Sequence, residues 1–99
     1  MATEFSWTVP ADHPALPGHF PGRPIVPGVV LLDRAILYAA TFAAGNGCWQ
    51  IGNAKFLSPV SPGESLVFTL DVKASGSIAF RVRAGERDVA SGSLTPGDA

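Results

Sequence analysis

Charge is scarce in this chain. Charged residues make up 15% of its 99 positions and sum to a net charge of −1. That balance argues against nucleic-acid binding, because a phosphate-binding face needs a surplus of Lys and Arg. One cysteine, Cys48, rules out an intrachain disulfide and fits a cytoplasmic setting. His13, His19 and Cys48 lack the spacing of a ligand set, so no metal and no cofactor are expected. No glycine-rich phosphate loop is present either. The start, Met1-Ala2-Thr3-Glu4, has neither the basic residues nor the apolar run of a secretion signal. The apolar stretch from Val29 to Ala44 is broken by Asp33, Arg34 and Tyr38, too short and too charged for a membrane span.

Apolar residues, in contrast, make up 46% of the chain. In so short a chain this gives one small domain, residues 1–99 with a core of 5–95, whose own core is marginal. It also leaves apolar surface for a partner to cover, so a dimer is expected. Phe5, Trp7 and Val9 alternate with Ser6 and Thr8 and predict a strand over 5–9. Six of the nine prolines fall between residues 10 and 27, which excludes regular structure there and predicts an extended, packed loop. Gly28 to about Ala44 is the one good helix, with Pro27 in its first turn and Gly45-Asn46-Gly47 as its stop. It is apolar nearly all round, the mark of a helix buried on most sides. Strands are expected at 49–60, 64–74, 78–84 and 87–95, separated by turns at Ser61-Pro62-Gly63, Ser75-Gly76-Ser77 and Gly85-Glu86. The fold class is α+β: one long buried helix wrapped by a curved antiparallel sheet.

The chemistry is concentrated between residues 18 and 33. His19 sits in a Pro/Gly loop, a helix starts at Gly28, and Asp33 stands among leucines. A base-capable ring, a helix N-terminus and an isolated acid suit proton removal beside a carbonyl. For each residue there is a plainer reading. His19 can cap a loop carbonyl, and Asp33 can be stabilised by the helix's first turns and pair with Arg34. Gly28 can serve the turn alone.

The run His19-Phe20-Pro21-Gly22-Arg23-Pro24, continued by Pro27-Gly28-Val29-Val30-Leu31-Leu32-Asp33, resembles the 3-hydroxyacyl-[acyl carrier protein] dehydratases of the hot-dog fold. Ala54-Lys55-Phe56-Leu57-Ser58-Pro59-Val60-Ser61-Pro62-Gly63-Glu64 is similar to that family's strand and turn after the helix. In size the chain is closest to the small dehydratases of aryl-polyene-type pathways. The resemblance implies that His19 is the base and that Asp33, supplied by the partner subunit, is the acid that holds or protonates the leaving hydroxyl. Most housekeeping members carry Glu where Asp33 stands, and the dehydratase/isomerase branch carries Asp. Gly28 would donate its N–H to the thioester oxygen, with Val29 and Phe20 beside the substrate. The implied partners are an acyl carrier protein and a second subunit, either another copy or a related dehydratase. Arg23, Arg34, Lys55, Arg81, Arg83 and Arg87 are the candidates for contact with the acidic carrier. Two rival readings stand beside the dehydratase: a hot-dog thioesterase, and a dehydratase-like subunit that supplies only part of a site.

Overall fold

The computed structural model describes residues 2–10, 26–41 and 49–96. Its elements are β1 (Ala2–Thr8), α1 (Gly28–Ala39), β2 (Trp49–Phe56), β3 (Ser65–Val72), β4 (Ile78–Ala84) and β5 (Arg87–Pro96). The strands form one antiparallel sheet in the order β1-β3-β4-β5-β2, with α1 against β3 and β4. This is the α+β arrangement expected from the sequence.

Strand periodicity puts one face of the sheet under the helix. Leu66, Phe68 and Leu70 of β3, Ile78, Phe80 and Val82 of β4, and Ala90 and Leu94 of β5 are buried. Val30, Leu31, Ala35 and Ala39 of α1 close the core from above, joined by Val9, Val26 and Val60. Burying side chains of the Val, Leu and Phe class contributes about 1.5–3 kcal/mol each, so this layer is the main source of stability. The pattern weakens at the end of β3, where Val72 is 45% exposed.

Two turns behave as their residues require. Pro62 and Gly63 form the turn before β3, with Gly63 at φ 88° and Glu64 N–H donating to the Ser61 carbonyl at 3.2 Å. Gly85, at φ 63°, is the first residue of the two-residue connection between β4 and β5. A hairpin of that length favours glycine there.

Several expectations need correction. The helix ends at Ala39, short of the expected Ala44. Ala40 N–H still donates to the Ile36 carbonyl, but Thr41 donates both its N–H and its hydroxyl to the Tyr38 carbonyl, at 3.1 and 2.7 Å. The tighter turn and the competing side chain end the α pattern. The Gly45-Asn46-Gly47 stop lies outside the described residues. Pro27 is the N-cap rather than a helical residue. Strand β1 runs from Ala2 to Thr8, so Val9 follows it and is buried, with its N–H donating to the Glu64 carbonyl. Strand β2 stops at Phe56, because Leu57 and Ser58 both turn their N–H groups onto the Val89 carbonyl.

The short-turn rule also fails once. Strands β2 and β3 are consecutive but not neighbours: β4 and β5 lie between them. Their connection crosses the sheet end, buries Val60, and accepts the Val26 N–H on the Val60 carbonyl at 2.8 Å. Burial of that one side chain and its backbone bond ties the crossing to the start of the helix.

Candidate active site

Gly28 opens the helix at one end of an apolar cleft. The cleft holds about 540 Å³ and is lined by Val26, Gly28, Val29, Leu31, Phe56 and Val60. Among the described residues no side chain caps the helix start, and no acid lies in its first turn. The Gly28 N–H donates to no other described residue. The first N–H groups of a helix point along its axis and carry partial positive charge, so this end suits a carbonyl oxygen gaining negative charge.

Asp33 lies five residues further on. Five residues turn an α-helix by roughly 500°, a net of about 140°, and advance it by about 7.5 Å. The carboxylate therefore points about 140° away from Gly28, on the side of the helix that also carries Val29. It stands in the exposed stripe Val29–Asp33–Leu37, whose two apolar members are 59% and 54% exposed. A separate hollow of about 280 Å³ beside it is lined by Trp7, Val30, Asp33, Arg34 and Leu37.

The plainer reading of Asp33 loses both its supports. The acid sits beyond the first turn, where the helix dipole has little effect. Arg34 is also engaged elsewhere: its guanidinium lies 4.2 Å from the Trp7 ring centroid and 5.8 Å from that of Tyr38. Among the described residues no ion pair to Asp33 is formed.

His19 and Phe20 lie outside the described residues, as do His13, Arg23 and Cys48. Of the expected site residues, the structure thus places Gly28, Val29 and Asp33 on one helix. Gly28 and Val29 share a cleft, and Asp33 does not join them.

Phe56 was not singled out from the sequence, yet it contacts the helix start. Its ring carbons Cε1 and Cζ lie 2.8 Å from where a β-carbon on Gly28 would stand. A side chain at this position would have to displace the ring. The signal was present in the apolar pair Ile51 and Phe56, five apart in a strand and so of opposite parity unless the strand carries an extra residue.

A wider, shallower groove of about 580 Å³ lies on the sheet face away from the helix, where Lys55, Thr69, Asp71, Arg81, Ser91 and Ser93 stand. It contains none of the expected site residues. The smaller apolar cleft fits an acyl group better, because it combines apolar walls with a helix N-terminus.

The candidate docking cations differ in freedom. Arg87 Nη2 pairs with Glu64 Oε1 at 2.9 Å and donates to the Pro59 carbonyl. Arg81 and Arg83 both face Asp88, at 3.9 and 3.4 Å. Lys55 has no ion-pair partner among the described residues. Glu64 is held below the usual carboxylate range, chiefly by the Ser61 N–H it accepts; burial opposes this, and Arg87 adds to the lowering.

Among the described residues no group of three or more His, Cys, Asp or Glu is placed to hold a metal ion. No described helix is long and apolar enough to cross a membrane.

One helix packed against a five-stranded antiparallel sheet is the arrangement of a hot-dog fold. Comparison with known proteins makes the assignment specific: residues 1–93 match the ApeI-like family, described as ApeI dehydratase, and the chain belongs to that family. The 3-hydroxyacyl-[acyl-carrier-protein] dehydratase FabZ of Thermus thermophilus is 31% identical over 97 residues, covering 85% of this chain and 68% of the relative. The FabZ of Wolbachia sp. subsp. Brugia malayi is 34% identical over 73 residues, covering 63% of this chain and 50% of the relative. The matched part thus spans about half the length of that relative. Among solved structures, the dehydratase heterocomplex ApeI:P from Xenorhabdus doucetiae superposes with a TM-score of 0.81 at 26% identity, covering 95% of this chain and 85% of that one.

Proposed function

We propose that this protein removes water from a 3-hydroxyacyl thioester carried on an acyl carrier protein, giving the trans-2-enoyl thioester. The carrying observation is the disposition of α1: Gly28 opens one cleft, while Asp33 points about 140° from it and lines a separate hollow with Leu37. One chain does not aim both groups at one substrate. A second subunit laid over the stripe covers its apolar members and receives Asp33 into its own cleft.

In this reading the neutral His19 imidazole takes the C2 proton of the thioester. The electron pair of that C–H bond becomes the C2–C3 double bond, and the C3–O bond breaks. The Gly28 N–H holds the thioester oxygen as negative charge builds on it. Asp33 of the opposite subunit gives its proton to the departing hydroxyl, which leaves as water. Val29 and Phe20 contact the acyl chain. Lys55, which has no ion-pair partner among the described residues, is a candidate contact for an acidic carrier.

The test is mass spectrometry of 3-hydroxyacyl carriers incubated with the pure protein. Loss of water supports the reading, and release of free acid would mean a thioesterase instead. His19→Ala and Asp33→Asn should each lower turnover by at least about a hundredfold. Mixing the two variants should restore part of it, since one site in a mixed dimer keeps both groups. Failure of rescue despite demonstrated subunit exchange would refute the shared site.

A second reading has its own support. The ApeI:P structure is a heterocomplex, so this chain can be one subunit of a heteromeric dehydratase. Turnover that begins only when a related subunit is added would identify that case.

A further inference from the structure

Strand β2 breaks its own periodicity, and the break decides where Phe56 goes. Ile51 pairs across the sheet with Leu94, and Phe56 pairs with Ala90. Both partners are buried under the helix, so Ile51 and Phe56 lie on the helix face. Residues five apart in a regular strand face opposite sides. The parity is restored by one extra residue: between the Gly52–Ser93 and Lys55–Ser91 pairs, β2 spends three steps where β5 spends two.

The bulge has identifiable supports. Asn53 adopts φ 51°, the left-handed conformation that Asn tolerates better than most side chains. Gly92 makes room for it, because a β-carbon there would stand 3.0 Å from the Ala54 Cα. Ser93 Oγ donates to the Gly52 carbonyl at 3.1 Å and pins the strand just before the bulge.

The consequence lies at the helix start. The Phe56 ring occupies the side of Gly28 where a β-carbon would be, and yet the residue is 51% exposed. A side chain so exposed, on an edge strand, can swing away at low cost. A ligand carbonyl approaching Gly28 through the cleft must share that space with the ring.

We propose that Phe56, aimed by the Asn53–Ala54 bulge, is the substrate-positioning residue of this cleft. The ring swings off Gly28 to admit an acyl thioester and then packs against the carbons next to its carbonyl. This rests on the dehydratase reading for the identity of the thioester, but the contact between Phe56 and Gly28 does not.

The experiment has two readouts on the intact protein. The first is the NMR resonance of the Gly28 α-proton that points towards the ring, which ring current should displace. Phe56→Leu and Asn53→Val should both shift it, the latter because a β-branched residue resists positive φ. Asn53→Gly, which keeps that conformation accessible, should not. The second is the affinity for crotonyl-pantetheine, a trans-2-enoyl thioester, followed on Gly28, together with KM and kcat for a 3-hydroxyacyl carrier. Phe56→Ala and Asn53→Val should weaken binding and raise KM by about tenfold with a smaller change in kcat; Phe56→Leu should recover part of the loss, and Asn53→Gly should match the parent protein. Unchanged affinity in Phe56→Ala, or in Asn53→Val with the resonance shifted, overturns the proposal. Binding that responds as stated while no carrier is dehydrated, by the pure protein or with a related subunit added, leaves the proposal standing and removes the dehydratase reading. A parent protein that binds no thioester at Gly28 overturns it outright.

Discussion

The two edges of the sheet are built in opposite ways. Strand β1 is regular and fastened down. Phe5 stacks on Tyr38 with ring centroids 4.2 Å apart, Tyr38 meets Phe68 edge-on at 5.3 Å, and Arg34 lies over Trp7. Strand β2 is bulged and open, with Ile51, Phe56 and the following Leu57 each about half exposed. One edge is finished within the chain by aromatic contacts to α1. The other keeps its apolar side chains available, next to the exposed Val29 of the helix. Unpaired edges invite association, and a bulge is one way to control it. The contrast puts the apolar cleft on the β2 side and leaves β1 to hold the helix in position.

The largest effect on stability should come from the seat of the bulge. Gly92→Val puts a β-carbon 2.8 Å from the Phe80 Cζ and 3.0 Å from the Ala54 Cα. The ring can turn aside, but the backbone cannot move without losing the bulge. The expected loss is about 1–3 kcal/mol in urea denaturation. A loss under about 0.5 kcal/mol would mean that β2 reaches Phe56 without the close approach at Gly92.

The closed edge should respond next. Tyr38→Leu keeps apolar volume but removes two ring contacts, for about 1 kcal/mol. Amide exchange should quicken along β1 and stay unchanged along β2. Equal acceleration on both edges would show that the aromatic cluster supports the whole sheet and not one side of it.

The smallest effect belongs to the crossing between β2 and β3. There the Glu64 carboxylate accepts the Ser61 N–H and pairs with Arg87. Its pKa is lowered in the fold, so its contribution is present above the usual carboxylate value and is lost as pH falls through the folded one. Glu64→Gln should cost under about 1 kcal/mol at neutral pH, because the pair is partly exposed. The gap to the parent protein should close on acidification below pH about 4. A gap that widens in acid would contradict this assignment.

Much of the fold was legible in residue order. Alternation identified β3 and β4 because each has one face under the helix and one outside it, and the Gly85-Glu86 turn marked β5 after them. Gly63 and Gly85 marked turns because their backbones need positive φ. The expected site was legible only through its motif, and His19 and Phe20, its loop members, lie outside the described residues. The helix end was misjudged because the alanine-rich composition after Tyr38 favours helix, while the Thr41 hydroxyl takes the Tyr38 carbonyl and opposes it locally. Phe56 was missed because a bulge shifts parity, and parity counts assume an unbroken strand.

The sequence by itself determined the elements, the buried face of the sheet and the family, since local propensity and side-chain period act over a few residues. Tertiary structure decided the rest. It placed β2 beside β5 instead of β3, because the crossing could bury Val60. It turned Phe56 onto Gly28, because Gly92 left room for an extra residue. It put Asp33 in a different hollow from Gly28, because the helix rotates by about 100° per residue and the buried stripe fixes which side faces the sheet.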